Sequence, residues 1–312
     1  MLRYLVLRLG HSLVALWGVV TLVFIILQLS GDPTLLLVPD GATQADIDAL
    51  RQALGFDRPL IVQYGDYLWH LLHFDLGISV VQQVPVAEII APRIPYTLAL
   101  AAGGFLVAAA VGFPAGIVLG VYRDSLGARL LMPLVLVGQS LPTFWSGLLL
   151  ILLFAVTLNW LPASGAESGT ALILPAVALG ALSMATFARI TRTAILEELG
   201  KEYVRAALAK GLPFHQVVRR HVLRNAALPI ITIVALELAN LLTGAVVVET
   251  VFAWPGIGLL AIQAISSRDF LLVQAIVLLG AVVYIALNLI ADLLYSLADP
   301  RIRLGYSRGA GR

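Results

Sequence analysis

Six stretches of the chain stay apolar for most of their length: residues 10–29, 97–121, 130–158, 171–188, 228–251 and 272–296. A hydrocarbon core about 30 Å thick takes roughly 20 apolar residues in a helix, so the pattern predicts six membrane-spanning helices and an all-α polytopic membrane protein. Residues 30–96 form a long polar-rich link between the first and second windows, and residues 189–227 separate the fourth from the fifth. Within the second of these links Ile190, Ala194, Ile195, Leu199, Val204 and Leu208 recur near a helical period among Arg, Glu and Lys, which predicts an amphipathic helix over 189–209. Gly211 then supplies the left-handed conformation that ends a helix, and Pro213 suits the first turn of the next one. The expectation is helix, sharp turn, helix.

Composition agrees with the pattern. The chain is 60% hydrophobic and 12% charged, with a mean hydropathy of +0.96, well outside the range of soluble domains. Six spans leave no room for a second hydrophobic core, so residues 1–312 are expected to form a single transmembrane domain, with 30–96 as a segment outside the membrane. The first window follows Arg3 and Arg8 as a signal peptide would, yet no small-x-small cleavage site precedes Gly31-Asp32-Pro33, which predicts a retained span. There are no cysteines, and so no disulfide or thiolate metal site.

Charge sets the expected orientation, because loops rich in Lys and Arg stay cytoplasmic. Sixteen Lys and Arg fall in the N-terminus, 122–129, 189–227 and the tail, against four (Arg51, Arg58, Arg93 and Arg268) on the other side. Both termini and the 189–227 loop are therefore expected to be cytoplasmic in a multi-pass protein of the cell membrane. Orientation alone explains why a loop is basic, but not why it is nearly 40 residues long, since connections of that size without a function are uncommon. Ala206, Ala207 and Gly211 would let another protein's surface approach the backbone, while Arg205, Lys210, Arg219 and Arg220 would hold acidic groups around the turn. No aromatic stacking platform or nucleic-acid motif accompanies the charge, so nucleic acid is not an expected partner.

At these residues a resemblance emerges. Ala206-Ala207-x-x-x-Gly211 between the fourth and fifth spans resembles the EAA loop of ABC importer permeases, with Arg205 in place of the Glu. Tyr203-Val204-Arg205, Ala209-Lys210-Gly211-Leu212, Arg220-His221-Val222-Leu223-Arg224-Asn225-Ala226 and Pro229 are similar to the dipeptide and oligopeptide permeases. So are Leu54-Gly55-Phe56-Asp57-Arg58-Pro59-Leu60, Asp75-Leu76-Gly77, Leu141-Pro142-Thr143-Phe144, residues 244–252, Trp254-Pro255-Gly256-x-Gly258 and Asp299-Pro300-Arg301-Ile302-Arg303. Leu271 stands where the family often has Pro.

The resemblance implies the type I ABC importer permease fold, with cytoplasmic coupling helices. It also implies a transport subunit, not an enzyme, that pairs with a second, related permease. Two cytoplasmic ATPase subunits holding ATP and Mg, and an extracytoplasmic substrate-binding protein, would complete the assembly. Glu202, Tyr203, Arg205, Ala206, Ala207, Lys210, Gly211, Arg220, His221 and Asn225 would then form the ATPase-coupling loop. The chain has no G-x-x-x-x-G-K-[ST] run, so it is expected to bind no nucleotide cofactor by that route. Di- or oligopeptides are the expected substrates, with nickel, glutathione and other small solutes handled by similar permeases.

Polar groups inside the spans mark pathways or pairings. Glu237, Asn240 and Gly244 share one helical face, where Glu237 either pairs within the bundle or lines the path. Gln139, Ser140 and Thr143 flank the helix breaker Pro142, a combination tolerated where backbone faces protein or water, and are further candidates for the path. Glu249 lies nearer the outer interface, free to reach water or to pair with Arg268. His70 and His73 lie outside the membrane near Asp66 and Asp75, where a solvated helix face is the expected reading over a metal site. No catalytic motif such as H-E-x-x-H or G-x-S-x-G occurs, which argues against a membrane-embedded enzyme. A stand-alone secondary transporter using Glu237 and Asp292 stays open as the alternative.

Overall fold

The computed structural model describes residues 2–29, 43–53, 55 and 57–298. Its helices are α1 (Leu2–Leu29), α2 (Gln44–Ala53), α3 (Leu60–Leu72), α4 (Val86–Ile90), α5 (Ile94–Val121), α6 (Leu126–Ser140), α7 (Thr143–Leu150), α8 (Ile173–Leu199), α9 (Glu202–Ala209), α10 (Phe214–Val217), α11 (Leu223–Val251), α12 (Ile257–Ser266) and α13 (Phe270–Ala298). Among the described residues the one extended pairing is an isolated bridge between Ile78 and Pro85. The six apolar windows fall mostly on helices, as a solvent without hydrogen-bonding partners requires. Helices over Arg8–Ile26, Val86–Val121, Ile173–Leu199 and Phe270–Ile290 are long and apolar enough to cross a membrane.

Two expected helices are broken. The window at 130–158 is not one helix: α6 ends at Ser140, Leu141 is extended at φ −85° and ψ 129°, and Pro142 starts α7. A residue before proline is pushed out of the α region, and the apolar helix that resumes covers Thr143–Thr157. Its second half, Ile151–Thr157, is wound as a wider π-helix. The amphipathic helix expected over 189–209 is also two pieces. Its first half is the end of α8, which runs without interruption out of the fourth window to Leu199; Lys201 is extended at φ −75° and ψ 152° and begins α9.

Contacts divide the described residues into two compact units, those within 2–5, 95–259 and 286–298 in one, and those within 6–94 and 260–285 in the other. In the first, α5 lies so close to α8 that a Cβ on Gly112 would stand 2.6 Å from the Met184 carbonyl oxygen, and one on Gly116 2.6 Å from that of Ala188. Gly112, Gly116 and Gly120 recur every fourth residue on one face, the small-residue spacing that lets membrane helices approach. Leu100, Leu174, Leu179, Leu241, Ala245, Val248 and Phe252 join α5, α8 and α11 in one core. Ala115, Leu119, Ala128, Val135, Ala185 and Ala188 pack α6 onto α5 and α8.

Where α11 turns, Glu249 is fully buried and so does not reach out to water. Its carboxylate accepts from Thr97 Oγ1 at 2.7 Å and from the Leu259 backbone N–H at 3.0 Å. Thr97 in turn accepts from the Ile257 N–H at 2.8 Å, and the Trp254 indole donates to the Tyr96 carbonyl at 2.9 Å.

The second unit holds α1 against α3. Gln28 Nε2 donates to Gln63 Oε1 at 2.8 Å, Thr21 Oγ1 bonds the Tyr64 hydroxyl at 2.6 Å, and Phe24 stacks on Tyr67 with centroids 5.8 Å apart. Ser79 and Asp269, both buried, bond through their side chains.

Candidate functional site

Helix α8 has 27 residues and α11 has 29. At about 1.5 Å per residue they reach roughly 40 Å, beyond an apolar layer of about 30 Å. Their excess length falls at the end where the segment 200–222 joins them. There Ala194, Ile195, Val204, Val217, Val222 and Ala226 form a separate apolar cluster, with Tyr203 and Ala207 packed against it. The apolar positions of α9 thus seat it on α8, α10 and α11, and its other positions face outward.

The turn after α9 has the geometry that its glycine predicts. Gly211 has φ +83°, its N–H donates to the Leu208 carbonyl at 2.9 Å, and the Leu212 N–H donates to that of Ala207 at 3.2 Å. This pair of bonds is a Schellman cap, which satisfies carbonyls left over at the helix end. Pro213 sits just before α10, as its N-cap, one place earlier than its expected position in the first turn. Nothing lies within 4 Å of where a Gly211 side chain would start.

Glu202, Arg205, Ala206, Lys210, Gly211, Arg220, His221 and Asn225 are exposed, whereas Tyr203 and Ala207 are half-buried and turned to the cluster. Leu208, Leu212 and Phe214 are also exposed. Three apolar side chains around a turn, ringed by basic ones, have the make-up of a protein contact with an apolar centre and polar rim. A cleft of about 570 Å³ lies beside it, lined by Arg123, Ser125, Leu199, Arg205, Leu208 and Phe214 among others.

Sequence reasoning missed Glu198. It is only 8% exposed, accepts from the Tyr203 hydroxyl at 2.6 Å and from the Lys201 ammonium, and has Asn225 within bonding reach. Bonding to Glu198 raises the Lys201 pKa above its ordinary value. Burial pushes the Tyr203 hydroxyl up, and the bond to Glu198 adds to the effect. The signal was present: Thr191, Ala194, Ile195 and Glu198 share one helical stripe, so a carboxylate occupies the register of a buried face.

Among the candidate pathway residues, Glu237 and Asn240 are bonded to each other. Glu237 is half-buried and accepts from Ser183 Oγ on α8 at 2.7 Å and from the exposed Asn240 at 3.4 Å. Gly244 packs on Leu179, where a Cβ would meet the leucine at 3.3 Å. Ser140 is exposed and Thr143 half-buried beside the Pro142 break; the Gln139 side chain and those of 291–298, Asp292 included, lie outside the described residues. Ser183, 3% exposed, was missed because serine on an apolar helix has no periodic signal of its own. Outside the spans, His70 Nδ1 pairs with Asp75 at 2.9 Å and His73 Nδ1 bonds the Trp69 carbonyl at 2.8 Å.

Comparison with known proteins bears on this arrangement. Residues 112–304 match the family model described as the inner membrane component of binding-protein-dependent transport systems, and residues 1–101 match the N-terminal model of such membrane components. The chain is 37% identical to the dipeptide transport system permease protein DppB of Escherichia coli, over 97% of this chain and 99% of that one. It is 40% identical to the glutathione transport system permease protein GsiC of the same species, again over 97% and 99%. Among solved structures, an inward-facing conformation of the MetNI methionine ABC transporter matches 68% of this chain and 97% of its own with a TM-score of 0.59 at 18% identity.

Proposed function

The chain belongs to the family of inner membrane components of binding-protein-dependent transport systems, and from that premise we propose that it forms half of the translocation pathway of an ATP-driven importer for di- or oligopeptides. Similarity to permeases for dipeptides and for glutathione, itself a short peptide, supports that substrate class. A second, related permease completes the pathway, and an extracytoplasmic binding protein delivers the substrate. Two cytoplasmic ATPase subunits hold ATP and Mg and dock on the segment 189–225. The sixteen-to-four division of Lys and Arg supports cytoplasmic termini and a cytoplasmic docking segment. In this scheme ATP-driven closure of the ATPase subunits pushes on α9, and α8 and α11 carry the movement into the membrane as alternating access.

The observation that carries the proposal is the exposed turn at Gly211, with exposed Arg205 and Lys210 beside it, built on the segment that joins two long helices. Gly211→Val tests it. A β-branched residue at φ +83° is strained, while the Lys and Arg count that sets orientation is untouched. Insertion should be normal and ATP-dependent uptake of dialanine should fall about tenfold or more. Gly211→Asn, which tolerates the left-handed region, should retain more activity than the valine variant. Uptake at the unmodified rate by Gly211→Val would remove the coupling role.

A further inference from the structure

Helix α9 joins α8 through a break at Gly200-Lys201, and a loose joint there would let α9 swivel under load without moving α8. Apolar contacts from Val204 to the cluster beneath resist separation, but they are non-directional and permit sliding. Directional bonds are supplied by one carboxylate. Glu198, on the last turn of α8, takes Lys201 at the start of α9 and the Tyr203 hydroxyl in its first turn, with Asn225 near the start of α11 beside them. Charge-assisted hydrogen bonds of this kind are the stronger and more geometry-dependent class, and a carboxylate so buried is held in place because an unbonded orientation is costly.

We propose that Glu198 is the positioning residue that locks α9 to α8 and α11, so that force applied at the docking turn is transmitted into the spans and not lost at the Gly200 break. The proposal rests on the coupling function above and names the side chain through which it acts. Glu198 is 8% exposed and bonds Lys201, Tyr203 and Asn225 of its own chain, so its effect is expected on the efficiency of coupling.

The test uses the complete importer in proteoliposomes, with its ATPase subunits and binding protein, and dialanine as probe; the readout is dialanine imported per ATP hydrolysed. Glu198→Ala should lower that ratio about tenfold in complexes that have assembled. Glu198→Gln, which keeps an acceptor for Tyr203, should restore much of it, whereas a residue needed only for folding would change the yield of complex and leave the ratio alone. An unchanged ratio for Glu198→Ala overturns the proposal. Should the alanine variant fail to assemble, Tyr203→Phe decides: it removes one hydroxyl and should lower the ratio severalfold, and an unchanged ratio again overturns it. Normal uptake by Gly211→Val would locate the failure in the docking role itself; loss with Gly211→Val and none with the Glu198 and Tyr203 variants would locate it in this residue.

Discussion

The carboxylate of Glu249 fills the space that a Cβ on Gly256 would need. The spacing between the Glu and the Trp254-Pro255-Gly256-x-Gly258 run is thereby explained: the chain turns back on itself after α11, and the absent side chain makes room for a buried acid. Thr97 and the Leu259 N–H then satisfy that acid.

Gly256→Ala should therefore destabilise the protein by about 2–3 kcal/mol through overpacking at a site that cannot relax without breaking those bonds. Thermal unfolding in detergent measures it. An unchanged midpoint would mean that the corner yields easily.

A second close approach gives a graded prediction. Gly116→Ala and Gly116→Leu should lower stability in that order, the leucine change by about 3 kcal/mol or more, because Thr191 and the Ala188 carbonyl lie against that face of α5. Gly18 on α1 has nothing within 4 Å and serves as control: Gly18→Ala should be tolerated.

For Glu237 the bond from Ser183 sets the expectation. Ser183→Ala should cost about 0.6 kcal/mol, the average for interhelical hydrogen bonds in membranes, and at most about 1.7, and the double variant Ser183→Ala/Glu237→Gln should cost less than the sum of the two. If Glu237 also faces the path, Glu237→Gln lowers dialanine uptake and Ser183→Ala does not. Equal uptake in all three variants would take Glu237 out of the pathway.

Orientation is checked by chemistry from two sides. Cysteines introduced singly at Asp46 and Gln216 should label from opposite faces of the intact membrane, Asp46 from outside and Gln216 only after permeabilisation. Labelling of both from outside would contradict the charge division and the docking role together.

At the turn after α3, the Gly77 N–H and then His70 hold the Asp75 pKa below its ordinary value of 3.8. A carboxyl whose pKa is depressed by folding stabilises above its unfolded value, and the contribution is lost as pH falls through the folded one. Protection of the Gly77 amide from hydrogen exchange, corrected for intrinsic rates, should thus be level between pH 5 and 7 at about its neutral value and should not decline until the solution is more acidic than the ordinary carboxyl value. A decline that sets in well above the ordinary carboxyl value would overturn the assignment to Asp75.

Hydrophobic length was legible in the chain because it is a local property: each window of apolar residues must satisfy its own backbone as a helix wherever the bilayer places it. The Gly211 turn was legible for the same reason, since its cap bonds reach no further than Ala207 to Leu212. The breaks at Pro142 and Gly200 were only half visible. Pro142 announced itself, but uninterrupted hydrophobicity favoured a single helix over 130–158, and periodicity ran across Gly200 because Ala194 and Ile195 on one side and Val204 on the other enter the same apolar cluster, while Leu208 is left exposed.

What only the tertiary structure decided is where the acids go. Glu237 meets Ser183 across 54 positions and Glu249 meets Thr97 across 152; no periodicity encodes such separations. Glu198 sat in plain view in a basic loop, and its role depended on how α9 and α11 fold back over the end of α8. Composition and periodicity determine which segments leave water, because transfer free energy scales with the apolar surface of each segment alone. Partner choice for a buried polar group depends on which helices are brought together and at what depth, and that is settled by packing, here by Gly112 and Gly116 drawing α5 onto α8.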